Sequence, residues 1–167
     1  MTTSWTDLEE AQPGLAEAVR TRFGGYKHHV LGTLRADGSP RLSGIEAEFR
    51  LGELWLGMMP GSRKALDLRR DPRFALHVNP GPGTSMDGGD VRISGRAVEV
   101  TDPAAIARFT GEVTVPEGPF HLFRAEIAEV VRTYVEDPDL VLQVWRPGAP
   151  LRTIRRGNDE SPPRTDG

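Results

Sequence analysis

The segment Gly61-Ser62-Arg63-Lys64 contains the residues whose types and spacing most directly predict a chemical role. Ser62 is a favourable N-cap for a short predicted helix, so Arg63 and Lys64 fall in the first helical turn. Positive charge is unfavourable there by about 0.3–1 kcal/mol per residue, because it lies at the positive end of the helix dipole. A bound anion reverses this, since free N–H groups, a hydroxyl, a guanidinium and an ammonium together make a phosphate site. The alternative interpretation is a basic helix start in solvent.

Three residues elsewhere in the chain could complete such a site. Arg41 opens the strand that precedes the predicted strand Leu54 to Met59, and if these two strands pair, Arg41 lies beside the Ser62 turn. Trp145 ends a strand and Arg155 follows ten residues later, and an indole with a guanidinium suits a planar aromatic ligand with polar edges. The alternatives are a surface arginine for Arg41 and a core or interface aromatic for Trp145.

Other kinds of site find little support in the sequence. The chain has no cysteine, which excludes disulfides, thiolate nucleophiles and cysteine-type zinc sites. The four histidines, His28, His29, His77 and His121, have neither metal-ligand spacing nor a partnered nucleophile, so they are predicted to be strand residues. Neither a P-loop nor a G-x-S-x-G motif is present. The sequence therefore predicts no metal site and identifies no catalytic acid or base.

Length and charge narrow the class of protein. With 167 residues the chain is most simply one domain, predicted over residues 1–156, followed by a disordered, polar tail over 157–167. Its net charge of −3 gives no basic field for nucleic acid or anionic membranes. No apolar run approaches the roughly 20 residues of a membrane span, and no signal peptide is visible. We expect a cytoplasmic protein without nucleic-acid or membrane partners.

The predicted elements that must position the candidate site are mostly strands. A helix over Asp7–Phe23 is followed by tight hairpins, of which Asp37-Gly38 gives the strongest signal. Six or seven strands and three helices are predicted, and the frequent turns favour a mainly β, antiparallel barrel over βαβ units. Some strands, such as Leu54 to Met59, have apolar side chains on both faces, so both faces must be packed against other parts of the protein. The Gly/Pro-rich segment Asn79–Gly89 is predicted to be a mobile loop.

The order of these features resembles a known family. A strand, an Asp-Gly hairpin, a strand with an early Arg41, a strand ending in the Gly-Ser-Arg-Lys turn, a helix and then Asp71-Pro72-Arg73 follow one another. This order resembles the pyridoxamine 5′-phosphate oxidase-like family of FMN-binding split β-barrels. The resemblance covers roughly residues 28–100 and extends more weakly to Trp145 and Arg155.

The resemblance implies a homodimer with FMN in clefts between the subunits. It implies that Arg63 and Lys64 bind the phosphate with help from Arg41. The strand backbone at Gly57 and Met58 would line the flavin, and Trp145 and Arg155 would flank the isoalloxazine from the other subunit. With the Ser62 hydroxyl, the expected cofactor-binding residues are Arg41, Gly57, Met58, Ser62, Arg63, Lys64, Trp145 and Arg155.

Departures from the family pattern limit the expected activity. Glu46 stands where the true oxidases have a lysine, and the substrate-binding stretch of those enzymes is represented by Leu151–Arg155, which lacks its histidine. We therefore expect an FMN-dependent oxidoreductase acting on an unnamed small molecule, and not a pyridoxamine phosphate oxidase. The Arg/Ala/Gly-rich composition is typical of high-GC actinobacterial proteins, in which similar barrels bind the deazaflavin F420. Two alternatives follow: an F420-dependent reductase, and a non-enzymatic flavin or haem carrier with one of the four histidines as axial ligand.

Overall fold

The computed structural model describes residues 1–83, 86 and 88–166, and within them the chain forms four helices and ten strands. The helices are α1 (Trp5–Ala11), α2 (Pro13–Gly24), α3 (Arg63–Arg70) and α4 (Pro103–Glu112). The strands are β1 (His29–Leu34), β2 (Pro40–Ile45), β3 (Ala47–Arg50), β4 (Glu53–Met58), β5 (Arg73–His77), β6 (Asp90–Glu99), β7 (His121–Glu136), β8 (Asp139–Trp145), β9 (Arg152–Arg156) and β10 (Arg164–Asp166). The predicted mainly β fold is confirmed.

Antiparallel pairing closes most of these strands into a barrel. β2 pairs with β1, β1 with β5, β5 with β6, β6 with β7, β7 with β4 and β4 with β3. β2 and β3 are the first and last strands in this order of pairing. Only Glu46 separates them in the chain, so the bend at Glu46 closes the barrel. The long strand β7 pairs with β4 through His121–Ala125 and with β8 through Val130–Glu136, so β8, β9 and β10 extend away from the barrel.

The structure has more elements than the sequence predicts. The single strand predicted from Arg41 to Leu51 divides at Glu46, and the helix predicted over Asp7–Phe23 divides at Pro13, which has no N–H to continue the helical hydrogen bonds. The short β10 lies in the segment predicted to be disordered. Its Asp166 accepts hydrogen bonds from Arg155 of β9, although all three residues of β10 are exposed. Disorder of the remaining tail stays a prediction.

The core fills the barrel and is closed at one end by the first two helices. Trp5 of α1 and Phe23 of α2 both pack edge-on against Phe49 of β3, with ring centroids 4.5 Å and 5.4 Å apart. Inside the barrel the buried side chains alternate along each strand, as on β1, where Leu31 and Thr33 are buried. The period of two follows from the pleat, which points successive side chains to opposite faces.

A second, smaller cluster covers the outer face of β4. Leu54 and Leu56 point into the barrel, while Trp55 points outward and packs against Phe109 of α4 with a ring-centroid distance of 5.4 Å. Leu122 of β7 completes the buried part of this cluster. The two-sided apolar pattern of β4 is therefore explained by the barrel interior on one face and α4 on the other.

Two predictions from the sequence concern the loop after β5 and the possibility of a membrane span. Residues 84, 85 and 87 of the predicted mobile loop Asn79–Gly89 lie outside the described residues, so its mobility stays a prediction. Across the part of the chain that the structure describes, none of the helices has the length and apolar character needed to cross a membrane.

Candidate functional site

The candidate site is built around the contact between β2 and α3, where a buried carboxylate holds Arg41. Asp67 is only 3% exposed, and its side chain accepts hydrogen bonds from Arg41 Nε (2.6 Å), Thr33 Oγ1 (2.8 Å) and an Arg70 terminal nitrogen (3.0 Å). Burial by itself disfavours the charged carboxylate, but these three donors outweigh it and lower the pKa of Asp67. Arg41 is thus fixed through Nε, and we find no partner for its terminal nitrogens among the described residues.

Arg41 reaches α3 by a route that differs from the predicted one. The strand predicted from Arg41 to Leu51 was expected to pair with β4. Its second part, β3, does pair with β4, but its first part, β2, bends away at Glu46 and pairs with β1, so the prediction is wrong for Arg41. Arg41 lies opposite Thr33 of β1, and directly opposed residues share one face of a sheet. Both side chains therefore point toward α3 and meet at Asp67.

Two serine hydroxyls near this contact are buried without a partner. Ser62 is the N-cap of α3, as predicted, but its side chain makes no capping hydrogen bond. In residues 1–83, 86 and 88–166, Ser62 Oγ and Ser43 Oγ of β2 are both shielded from solvent and have no hydrogen-bond partner. A buried hydroxyl without a partner costs about 1–3 kcal/mol. An anion that supplied oxygen acceptors here would remove that cost.

Two cations accompany the Ser62 hydroxyl. Lys64 donates a hydrogen bond from Nζ to the backbone oxygen of Gly44 on β2, which ties the start of α3 to the same strand as Arg41. Burial lowers the pKa of Lys64, because the charged ammonium is partly removed from water. Arg63 is exposed and makes no ion pair with any described residue. Ser62, Arg63 and Lys64 therefore bring donors that fit a phosphate group to the start of α3, and Arg41 contacts the same helix about one turn further on, at Asp67.

The end of β4 presents open backbone beside this group. The pairing of β3 with β4 ends at Ala47 and Leu56, so within the described residues Gly57 and Met58 have a strand partner on the β7 side alone. Gly57 is exposed, whereas the Met58 side chain is buried in the barrel core. Backbone groups of these two residues could therefore border a flat ligand, and the Met58 side chain could not.

The turn between β4 and α3 is held by a residue that the sequence analysis left without a role. Gly61 has a φ of 66°, and its N–H donates to His121 Nε2 at 3.0 Å. On the other side of the ring, His121 Nδ1 lies 2.9 Å from Glu99 Oε1, and Arg69 binds the same carboxylate with contacts of 2.6 and 2.8 Å. The hydrogen bonds from Arg69 and His121 lower the pKa of Glu99. No local pattern could have indicated this cluster, because its members come from three separate elements.

The structure does not bring Trp145 and Arg155 together. Trp145 is 2% exposed and packs in the core of the chain, as in the alternative interpretation. Arg155 lies opposite Val141 of β8, which places it roughly 13 Å along the strand from Trp145 at about 3.3 Å per residue. Its guanidinium forms ion pairs with Glu136 and Asp166. Their shared contact with a flavin ring stays a prediction, and within a single chain the two side chains do not meet.

An open basin of about 400 Å³ lies on the outer face of β6–β9. Its floor includes Val131 and Val144, and Arg152 lies at its edge. Glu129 accepts hydrogen bonds from Arg92 (2.8 Å) and Arg146 (2.7 Å) at its rim. Burial opposes ionisation of Glu129, but the two arginines outweigh it and lower the pKa of this carboxyl. The basin therefore has an apolar floor and a charged, ion-paired rim.

The basin lies on the same sheet as Gly44, the β2 residue that Lys64 contacts at the start of α3. Direct strand partners connect them in the row Gly44, Val30, His77, Arg92, Val131, Val144 and Arg152. Opposed residues share a face, so this row is continuous along the outer surface. Two strand spacings of about 4.8 Å separate Gly44 from His77 at the near side of the basin, and four separate it from Val131, or roughly 10 and 19 Å along the curved sheet.

Comparison with solved structures places this architecture among known folds. A pyridoxamine 5′-phosphate oxidase-related, FMN-binding protein from Nostoc punctiforme is 16% identical with a TM-score of 0.62, covering 87% of this chain and 96% of its own. PhzG from Burkholderia lata 383, solved with tetrahydrophenazine-1-carboxylic acid, is 17% identical with a TM-score of 0.51, covering 96% and 90%. A haem-binding protein from Mycobacterium smegmatis is 18% identical with a TM-score of 0.56, covering 85% and 58%. At these identities the likeness concerns the fold.

Sequence comparison gives the family itself. No curated protein is significantly similar to the chain. The family model described as pyridoxamine 5′-phosphate oxidase matches residues 15–134, which is more than half of the chain. The matched region runs from α2 into β7 and includes the Arg41, Ser62, Arg63 and Lys64 group. The chain belongs to the pyridoxamine 5′-phosphate oxidase family.

Proposed function

We propose that this protein binds FMN by its phosphate at the start of α3 and acts as a flavin-dependent oxidoreductase on a small molecule. The observation that carries the proposal is the Ser62 hydroxyl, which is buried and without a partner in the described residues, next to the unpaired guanidinium of Arg63. A helix N-terminus attracts anions by its dipole and free N–H groups. Here a hydroxyl and cations from two elements add to that attraction.

Each residue has a distinct part in holding the phosphate. Arg63 supplies a guanidinium that can bind two phosphate oxygens at once, and Ser62 supplies the hydroxyl. Lys64 has two further N–H donors beyond the one used by Gly44. Arg41 presents its terminal nitrogens, because Asp67 holds only Nε. When bound, the flavin would supply the hydride chemistry, so this chain needs no side chain as acid or base.

We further propose that two copies of the chain form a dimer through the outer face of β2, β1 and β5. Leu42 of β2 is 75% exposed and Val30 of β1 is 36% exposed, and Ala75 of β5 continues this apolar surface. The same face carries the basin at its other end. In a two-fold dimer the start of α3 of one copy can lie over the basin of the other, because a two-fold interface uses the same patch on both subunits.

One feature of the sequence bears on the identity of the substrate. The stretch Leu151–Arg155 has no histidine, which argues against pyridoxamine phosphate as the substrate, as the sequence resemblance implied. F420 also carries a phosphate group and remains the alternative cofactor for the same donors. Since the phosphate donors do not distinguish the two rings, titration with both cofactors must decide between them.

The experiment measures the affinity of the purified protein for FMN, riboflavin and F420 by fluorescence quenching. Riboflavin lacks the phosphate, so the wild type should bind FMN more tightly than riboflavin. The double variant Arg63→Ala, Lys64→Ala should lose this preference, because each charge-assisted hydrogen bond contributes about 1.5–3 kcal/mol. At about 1.4 kcal/mol per tenfold, the loss is at least a hundredfold.

Arg108→Ala on α4 serves as the matched control, because it removes an exposed arginine from a helix outside the site. Its FMN and riboflavin affinities should equal those of the wild type. A double variant that keeps the FMN preference would place the phosphate elsewhere and overturn the proposal.

A haem-binding function is favoured by one observation. His77 lines the basin, and its Nδ1 is 2.6 Å from the backbone oxygen of Val78, which leaves Nε2 available as an axial ligand. The ring nitrogens of His121 are both engaged, and His29 Nδ1 accepts from Asn79 N–H. A Soret band that appears when the wild type is titrated with haemin, and does not appear with His77→Ala, would support a haem carrier. If the wild type shows no Soret band, the haem proposal is refuted and the flavin proposal stands.

A further inference from the structure

We propose that His121 is a positioning residue for the phosphate turn and that only its neutral form holds the turn ready for an anion. This inference rests on the proposed function, because it concerns how the same site is kept in its binding geometry. His121 lies at the start of β7, directly opposite Met58 at the end of β4, and so borders the turn that leads to Ser62.

The hydrogen-bond directions define the protonation state. A backbone N–H can only donate, so the 3.0 Å contact from Gly61 N requires His121 Nε2 to accept. The Nδ1 atom must then carry the ring proton and donate it to Glu99 Oε1 at 2.9 Å. Glu99 thereby selects the one neutral tautomer that can accept from Gly61.

Protonation of the ring would convert this acceptor into a second donor. The Nε2–H of an imidazolium would then face the Gly61 N–H, and the hydrogen bond between them would be lost. Gly61 has a positive φ of 66° and lies directly before Ser62, so its backbone sets the direction of the first N–H groups of α3. Loss of this contact would therefore disorder the group that receives the phosphate.

Charged groups of both signs contact the His121 ring. Within the described residues, these groups are Glu99 of β6 and Arg69 of α3, whose terminal nitrogen lies 3.3 Å from Nδ1. Arg69 also donates two hydrogen bonds to the Glu99 carboxylate. The remaining contact, in the turn after β4, is the uncharged backbone N–H of Gly61.

The test compares two variants with the wild type between pH 5.5 and 8, where imidazole groups titrate. His121→Gln keeps an acceptor oxygen near the place of Nε2 but cannot gain a proton. His121→Leu removes the acceptor. FMN and riboflavin affinities are measured for all three proteins at each pH, and circular dichroism confirms that the barrel is folded.

At pH 8 we expect His121→Gln to bind FMN like the wild type and His121→Leu to bind about 3- to 10-fold more weakly, the usual effect of one hydrogen bond. Between pH 8 and 5.5 the wild type should lose more FMN affinity than His121→Gln, by up to the same roughly 3- to 10-fold, because only the wild-type ring can lose its acceptor by gaining a proton. Titration of the phosphate itself cancels in this comparison, because both proteins meet the same ligand. Riboflavin affinity should change equally in both.

An identical pH profile for wild type and His121→Gln would overturn the inference, and so would a wild-type affinity in His121→Leu. If His121→Leu does not fold, the comparison of wild type with His121→Gln still decides. The proposed function fails separately, when the wild type shows no preference for FMN over riboflavin or keeps that preference in the Arg63→Ala, Lys64→Ala variant.

Discussion

Replacing Asp67 by asparagine tests whether the buried carboxylate under α3 stabilises the barrel. Asparagine has the same shape, and with its amide oxygen in the place of Oδ2 it keeps the hydrogen bonds from Arg41 and Thr33. Its NH₂ group would then face Arg70, so that hydrogen bond is lost, and the other two weaken because their acceptor is no longer charged. The site is 3% exposed, so water cannot replace these contacts on the Asp67 side.

The size of the effect follows from the partners. A hydrogen bond to a charged group contributes about 1.5–3 kcal/mol when buried. The side chains of Arg41 and Arg70 are 24% and 42% exposed and can recover part of this from water, so the lower end of the range applies. We expect Asp67→Asn to lower the free energy of unfolding by about 2–4 kcal/mol. For a domain of this size that corresponds to a melting temperature lower by roughly 5–15 °C.

Urea denaturation at pH 7, followed by circular dichroism, measures the change. The matched control is Asp71→Asn, in which a partly exposed carboxylate just after α3 loses its ion pair with the exposed Arg73. Arg73 lowers the pKa of Asp71 to about 2, yet this pair lies in solvent and we expect no measurable shift of the denaturation midpoint. Equal effects of the two substitutions would refute the reasoning, because burial would then not decide the contribution.

The pH dependence gives a second readout of the same prediction. The pKa of Asp67 is lowered in the folded protein, so its contribution is fully present above the unfolded pKa of about 3.9. It is lost as the pH falls through the folded pKa. The stability difference between wild type and Asp67→Asn should therefore be constant above about pH 5 and shrink below about pH 4. A difference that grows on acidification would contradict the assignment.

Two further predictions concern the barrel and its outer face. Gly95→Ala should destabilise the fold by at least about 1–3 kcal/mol in urea denaturation, because its Cβ would lie 1.9 Å from the Glu126 backbone oxygen. Gly57→Ala is the control, since its Cβ would meet no described atom within 4 Å, and equal midpoints would refute the prediction. Leu42→Arg should convert a dimer into a folded monomer in sedimentation, whereas Val135→Arg, equally apolar and 55% exposed, should not. A wild-type protein that sediments as a monomer would refute the dimer proposal.

The sequence was sufficient to predict most of the elements and the turn between β4 and α3 because those depend on local patterns. Alternation of apolar residues, the Asp37-Gly38 turn and the Ser62 N-cap each act over a few residues. The position of Arg63 and Lys64 in the first turn of α3 is confirmed for the same reason. The local pattern did not, however, show the bend at Glu46, where one predicted strand divides between two partners.

Only the tertiary structure decided which distant residues meet. Arg41 and Asp67 are held together by β2 bending toward β1, and Gly61, Glu99 and His121 meet because the turn before α3, the end of β6 and the start of β7 converge. Trp145 has the composition of a ligand contact but is buried in the core. The sequence by itself determined which groups are available for an anion. The packing of the barrel determined which are free, which are paired and which are buried, because those properties depend on neighbours that are remote in the chain.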